Sequence, residues 1–108
     1  MMYKYGEFQE HQIAEAKQIM RKQIFFLLLI VDPDTAGQYN VSVYDAFDNV
    51  LRTFGGLNDL LGFPAELVMV MSLLNAAFLE YKSCTFRFKV YRKLILDAGN
   101  EVLKIKEV

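Results

Sequence analysis

The chain has 108 residues, of which 54% are apolar and 14% aromatic, and its formal net charge is −1. That apolar share exceeds the roughly 45–50% of ordinary soluble domains, and with so little net charge it excludes a disordered chain. A chain of this length can bury about two-thirds of its surface in one core, so a single domain over 1–108 is expected. Near-zero charge gives no global attraction to nucleic acid or to an anionic membrane.

The longest uninterrupted apolar run, Ile24–Val31, has eight residues, far short of the ~20 that span a membrane. Lys4 is followed by Glu7, Gln9, Glu10, His11 and Gln12 instead of a hydrophobic segment. No secretory signal is read there, and a cytoplasmic location is expected. Cys84 is the only cysteine, which removes an intrachain disulfide and any cysteine-cluster metal site. Six Gly and two Pro are too few for the closely spaced turns of a sandwich or barrel, so a few long elements are expected.

Residues 6–23 have the periodicity of an amphipathic helix. Tyr5, Phe8, Ile13, Ala16, Ile19, Met20 and Ile24 share one arc, and Glu7, Glu10, Lys17, Arg21 and Lys22 lie opposite. The segment 24–31 is apolar on all sides, which fits either the buried end of that helix or a buried strand. Asp32-Pro33 ends it in both cases. After a loop over 33–41, Ser42 and Asp45 have capping-box spacing. Val43, Ala46, Phe47, Val50, Leu51 and Phe54 then form a helical stripe. Gly55-Gly56 reads as its left-handed stop, with a separate short helix over 57–61. Pro64 opens the next helix, 64–82, with Glu66 near its positive end. Among its interior residues only Ser72, Asn75 and Glu80 are polar, which makes it the expected central element.

The C-terminal third has two readings. Residues 85–90 alternate like a strand and 97–100 suit a hairpin turn, whereas Tyr91, Leu94, Ile95, Ala98, Val102 and Ile105 fall on one helical arc. The expected fold is all-α, a compact bundle of four to five helices around helix 64–82. The alternative is α+β, with a strand at 24–31 and a hairpin over 85–108.

Candidate chemical motifs are few. Glu7, His11 and Glu15 stack at i, i+4, i+8 but offer no fourth metal ligand, and read as an electrostatic ladder. Asp32, Asp34 and Gly37 occupy the first, third and sixth places of a calcium loop. Ala36 and Val43 fall where oxygen ligands are required, so turn formation is the better reading. Gly55-Gly56 is followed by Leu57-Asn58-Asp59, which puts an acid where a phosphate would sit. The outline of 57–75 resembles a helix-turn-helix, but its second helix has no cation before Lys82 to read bases. Cys84 has no base beside it in sequence to make it a nucleophile. With a single His no acid–base pair can be nominated, so no catalytic residue, metal or cofactor is expected and the chain is not read as an enzyme.

Two surfaces remain as candidates. Lys82, Arg87, Lys89, Arg92 and Lys93 form a basic segment with no acid over 81–96, suited to an acidic protein partner or to nucleic acid. Phe25, Phe26, Leu28, Leu29, Val68 and Met71 belong to segments apolar on more sides than one small bundle covers. Such surplus favours self-association. Asp32-Pro33-Asp34 with Gly37 and the late segment Phe86-x-Phe88-x-Val90-Tyr91 resembles PAS-type sensor domains, though without the family's spacing. That resemblance implies an α+β fold holding an apolar ligand, here against the Met69/Met71 region. The expected function is a small interaction module acting as a homodimer. The alternatives are a nucleic-acid-binding regulator using 82–93 and the PAS-like sensor.

Overall fold

A computed structural model describes residues 2–3, 6–7, 10–60, 62 and 64–105, with side chains over 14–59, 62 and 64–105. Four α-helices lie among the described residues: α1 Glu10–Leu29, α2 Val43–Leu60, α3 Ala65–Lys82 and α4 Phe88–Val102. A two-residue antiparallel pair, β1 Met2–Tyr3 with β2 Gly6–Glu7, precedes them. Each helix packs on two others, α1 and α3 both lying between α2 and α4, and α3–α4 is the most extensive pairing. The all-α bundle is therefore the fold, and the α+β alternative is not.

The apolar run 24–31 is the buried end of α1, not a strand. Ile24 and Leu27 are fully buried and Ile30 nearly so, while Phe25, Phe26 and Leu28 are half-buried. The run is apolar on several sides because α2 and α4 both press on α1 here. α1 begins at Glu10, not residue 6; Tyr5 and Phe8 of the expected arc lie outside the described residues. The contact arc is centred on Met20, Ile24 and Leu27, which leaves Ile19 outside it and 55% exposed. Lys17 is not a solvated residue either. Its Nζ donates to the carbonyl oxygens of Leu103 at 3.2 Å and Ile105 at 2.9 Å, placing a cation at the negative end of α4.

α1 stops before Pro33, and its final carbonyls are satisfied one by one. Leu28 accepts from Asp32 N–H at 2.9 Å, and Leu29 from the Thr35 hydroxyl at 2.7 Å. Asp32 Oδ1 accepts the Asp34 N–H at 2.9 Å, the Asx turn expected of this pair. Leu27 accepts a 2.6 Å hydrogen bond from the hydroxyl of Tyr91, a fully buried residue of α4. Burial, with Tyr81 alongside, pushes the Tyr91 phenol above its ordinary value of 10.0. The folded state thus holds this proton more tightly than the unfolded chain. The associated stability is complete below about pH 10 and is lost as pH rises beyond it, at up to ~1.4 kcal/mol per pH unit. Tyr91→Phe should cost about 1–2 kcal/mol at neutral pH by orphaning the Leu27 carbonyl. It should also flatten the alkaline fall in stability above pH 10, measured by urea unfolding at a series of pH values.

The cap of α2 is as expected, Ser42 Oγ accepting the Asp45 N–H at 3.3 Å. Its expected stop is not. α2 runs through Gly55-Gly56 to Leu60 and so takes in residues 57–60 of the separate helix expected over 57–61, Leu61 lying outside the described residues. Gly55 faces α3, where a Cβ would lie 3.8 Å from Met71 Cε, and Leu57 packs against the core. Burial of the added turns offsets the ~1 kcal/mol cost of each helical glycine. The left-handed residue is Gly62, at φ +79 with its N–H 3.3 Å from the Asp59 carbonyl. Pro64, in extended geometry, then caps α3. The helix-turn-helix outline is the α2–α3 corner.

The C-terminal hairpin is absent from the described residues, and with it the PAS-like reading of the fold. Phe88–Tyr91 open α4, and Asp97–Asn100 lie within it. Gly99 is buried where α4 meets α1, and a Cβ there would lie 3.0 Å from Phe25 Cε1. The glycine is a notch for an aromatic ring, not a turn.

Candidate interaction surface

Seven aromatic rings gather where the start of α2, the end of α3 and the start of α4 meet. Phe47 stacks on Phe78 at 4.7 Å and meets Tyr91 edge-on at 6.2 Å. Tyr44 lies edge-on to Phe78 and Tyr81, and Phe86 and Phe88 lie against Tyr91. Sequence reasoning missed this nest. Its signal is three pairs at i, i+3 (Tyr44/Phe47, Phe78/Tyr81 and Phe88/Tyr91), one each on α2, α3 and α4. Phe47 and Tyr91 are its buried centre, while Tyr44 and Phe86 are exposed at its edge.

The basic segment divides when traced onto the structure. Arg87 reaches Glu80, both through its backbone N–H at 3.0 Å and through its guanidinium at 3.3 Å. Lys93 pairs with Asp97 at 2.8 Å. Lys82, at the end of α3, sits over the Phe78 ring at 4.4 Å. Lys89 and Arg92 are exposed on α4 without an ion pair among the described residues.

The six residues expected to self-associate do not form one patch. Phe25 sits between the Gly99 notch and the Arg21 guanidinium, which lies 5.2 Å from the ring centroid. Phe26 packs edge-on against Tyr39 at 5.4 Å, while Leu28 and Met71 are half-buried against the core. Leu29 is at the margin of exposure. Only Val68, 44% exposed, stands on a continuous open face.

That face is the outward side of α3. The inner side, Leu67, Val70, Leu74 and Ala77, is fully buried. The outer side carries Ala65, Val68, Met69, Ser72, Asn75 and Leu79, all exposed, with no charged residue among them. Met69 is 49% and Leu79 65% exposed. Ser72 turns its hydroxyl back to the Val68 carbonyl at 3.1 Å. Charged rims flank the face, with Asp48 and Arg52 paired at 2.7 Å on α2. Lys93 and Asp97 on α4 are joined by Glu101 and, in the turn after α4, Lys104, 3.2 Å apart.

Elsewhere the surface offers little chemistry. An open cleft of about 340 Å³ between α1 and α2 is lined by Lys22, Phe26, Ala46 and Thr53 among others. Met69 and Met71 point to different sides of α3, so they frame no shared pocket. Cys84 is exposed in the α3–α4 turn, and no cluster of three or more metal-binding side chains occurs among the described residues. The side chains of Glu7 and His11 lie outside those described. No described helix is long and apolar enough to cross a membrane. No protein-family model matches the chain, and neither the curated proteins nor the solved structures contain a match.

Proposed function

We propose that the chain is a non-enzymatic protein-interaction module that self-associates through the outward face of α3. One observation carries the reading: a surface helix whose exposed face over 65–79 contains large apolar side chains and no charge, between rims that are charged. An apolar centre with a polar rim is the anatomy of interfaces, and monomers rarely expose such a face. An 18-residue helix is about 27 Å long, and the molecule is 20–24 Å across its shorter axes. A face of those dimensions would bury roughly 600 Å² per partner, near the lower bound for a stable pair. Nucleic-acid binding through 82–93 is less well supported, because Arg87 and Lys93 are spent on acids of the same chain.

Size-exclusion chromatography with light scattering tests the proposal. The wild-type chain is expected to run as a dimer with no excess absorbance at 260 nm. Leu79→Glu should weaken dimerisation more than tenfold, leaving the circular dichroism spectrum unchanged because residue 79 is outside the core. A wild-type chain that stays monomeric at submillimolar concentration would remove the proposal. A peak rich in salt-removable 260 nm material would shift it to the basic segment.

A further inference from the structure

We infer that two copies of the chain pair through α3 in antiparallel register, with Val68 against Leu79 of the second copy and Ser72 against its Asn75. This rests on the self-association reading and specifies how the seam is built. The exposed positions Ala65, Val68, Ser72, Asn75, Leu79 and Lys82 recur at alternating intervals of three and four, the spacing of an a/d coiled-coil seam along the whole helix. In an antiparallel pair of such helices, each a position faces a d position of the partner. The run then matches itself end to end about a point between residues 73 and 74. Large apolar residues meet at Val68–Leu79, twice, and small polar ones meet at Ser72–Asn75, twice.

Hydrogen bonding and charge both favour this orientation. The Ser72 hydroxyl proton is committed to the Val68 carbonyl at 3.1 Å, so its oxygen is left to accept from the Asn75 amide of the second copy. A parallel pair would instead place Ser72 on Ser72, with no free hydroxyl proton between them. At the ends, antiparallel packing brings Lys82 beside Ala65 of the second copy. The alanine leaves room for the lysine stem. Parallel packing would set Lys82 against Lys82, a like-charge arrangement that complementary interfaces avoid. The polar centre fixes the register at a cost in affinity, the established role of a buried Asn at such positions.

Disulfide trapping tests the register in a Cys84→Ser background. Val68→Cys and Leu79→Cys chains are oxidised with copper phenanthroline separately and as an equimolar mixture, and unoxidised samples are checked by light scattering. The mixture should cross-link several-fold more than either variant alone, since a disulfide needs Cβ atoms about 4 Å apart. Dimeric samples in which the single variants cross-link as well as the mixture would overturn the antiparallel register while leaving self-association intact. Dimers that never cross-link would overturn α3 as the seam, and monomeric samples would overturn both.

Discussion

Phe47→Ala is expected to lower unfolding stability by about 3–5 kcal/mol, as deletion of a fully buried phenylalanine does in other cores. Phe47 is completely enclosed and joins three helices: it extends from α2, stacks on Phe78 of α3 and meets Tyr91 of α4. Its loss removes apolar burial and two ring contacts, each worth about 0.5–1.5 kcal/mol beyond area. The neighbours cannot close the gap easily. Phe78 is held by Tyr44 and Lys82, and Tyr91 by its hydrogen bond to Leu27. Since whole domains are stable by only about 5–15 kcal/mol, the variant should sit near the edge of folding at 37 °C. Phe47→Leu refills most of the volume and should cost about half as much. Urea unfolding of the two variants checks both numbers, and an alanine cost within about 0.5 kcal/mol, the size of a surface change, would mean that Phe47 is not core.

Much of this architecture was legible wherever a local signal agreed with the tertiary contact. The Ser42 cap, the 43–54 stripe and the Pro64 start are stated by residues within one turn of each other, and the structure keeps them. The failures share a cause. Gly55-Gly56 is a stop signal on local grounds, but the packing of Leu57 and the contact with Met71 extend the helix to a different glycine. Asp97-Ala98-Gly99-Asn100 has the composition of a turn, and only the Phe25 ring, 74 residues earlier, explains why a glycine is required within a helix. Lys17 likewise belongs to a solvated face on its own helix and to the end of α4 in three dimensions. For the candidate surface, composition announced a surplus of apolar side chains but not which of them remain open. Phe25, Phe26, Leu28 and Met71 are taken up by contacts within the fold, whereas Val68 and Leu79 are not. That division depends on which side of α3 the neighbours occupy, a fact the 3.6-residue period cannot supply for a helix apolar on nearly all sides.

Gly99→Val should destabilise the fold by about 1–2 kcal/mol, although valine is intrinsically the better helix former. Two opposed effects act at this position, and their magnitudes decide the sign. Replacing a helical glycine gains up to ~1 kcal/mol in propensity. Against it, a Cβ alone would come within 3.0–3.1 Å of two atoms of the Phe25 ring, and the valine methyls extend further into the same space. Overpacking of this kind typically costs 1–3 kcal/mol, and the Arg21 guanidinium lies over the same ring, 5.2 Å from its centroid. Gly99→Ala adds only the Cβ, so the two effects should nearly cancel, leaving it within about 1 kcal/mol of wild type. Phe25→Ala supplies the control. If the ring is the obstacle, Gly99→Val in the Phe25→Ala background should cost at least ~1 kcal/mol less than in wild type, a coupling that a double-mutant cycle measures directly. Additive single effects would instead mean that the ring swings aside freely and that the α1–α4 contact is set by Ile24, Ile95 and Ala98 without help from the glycine notch.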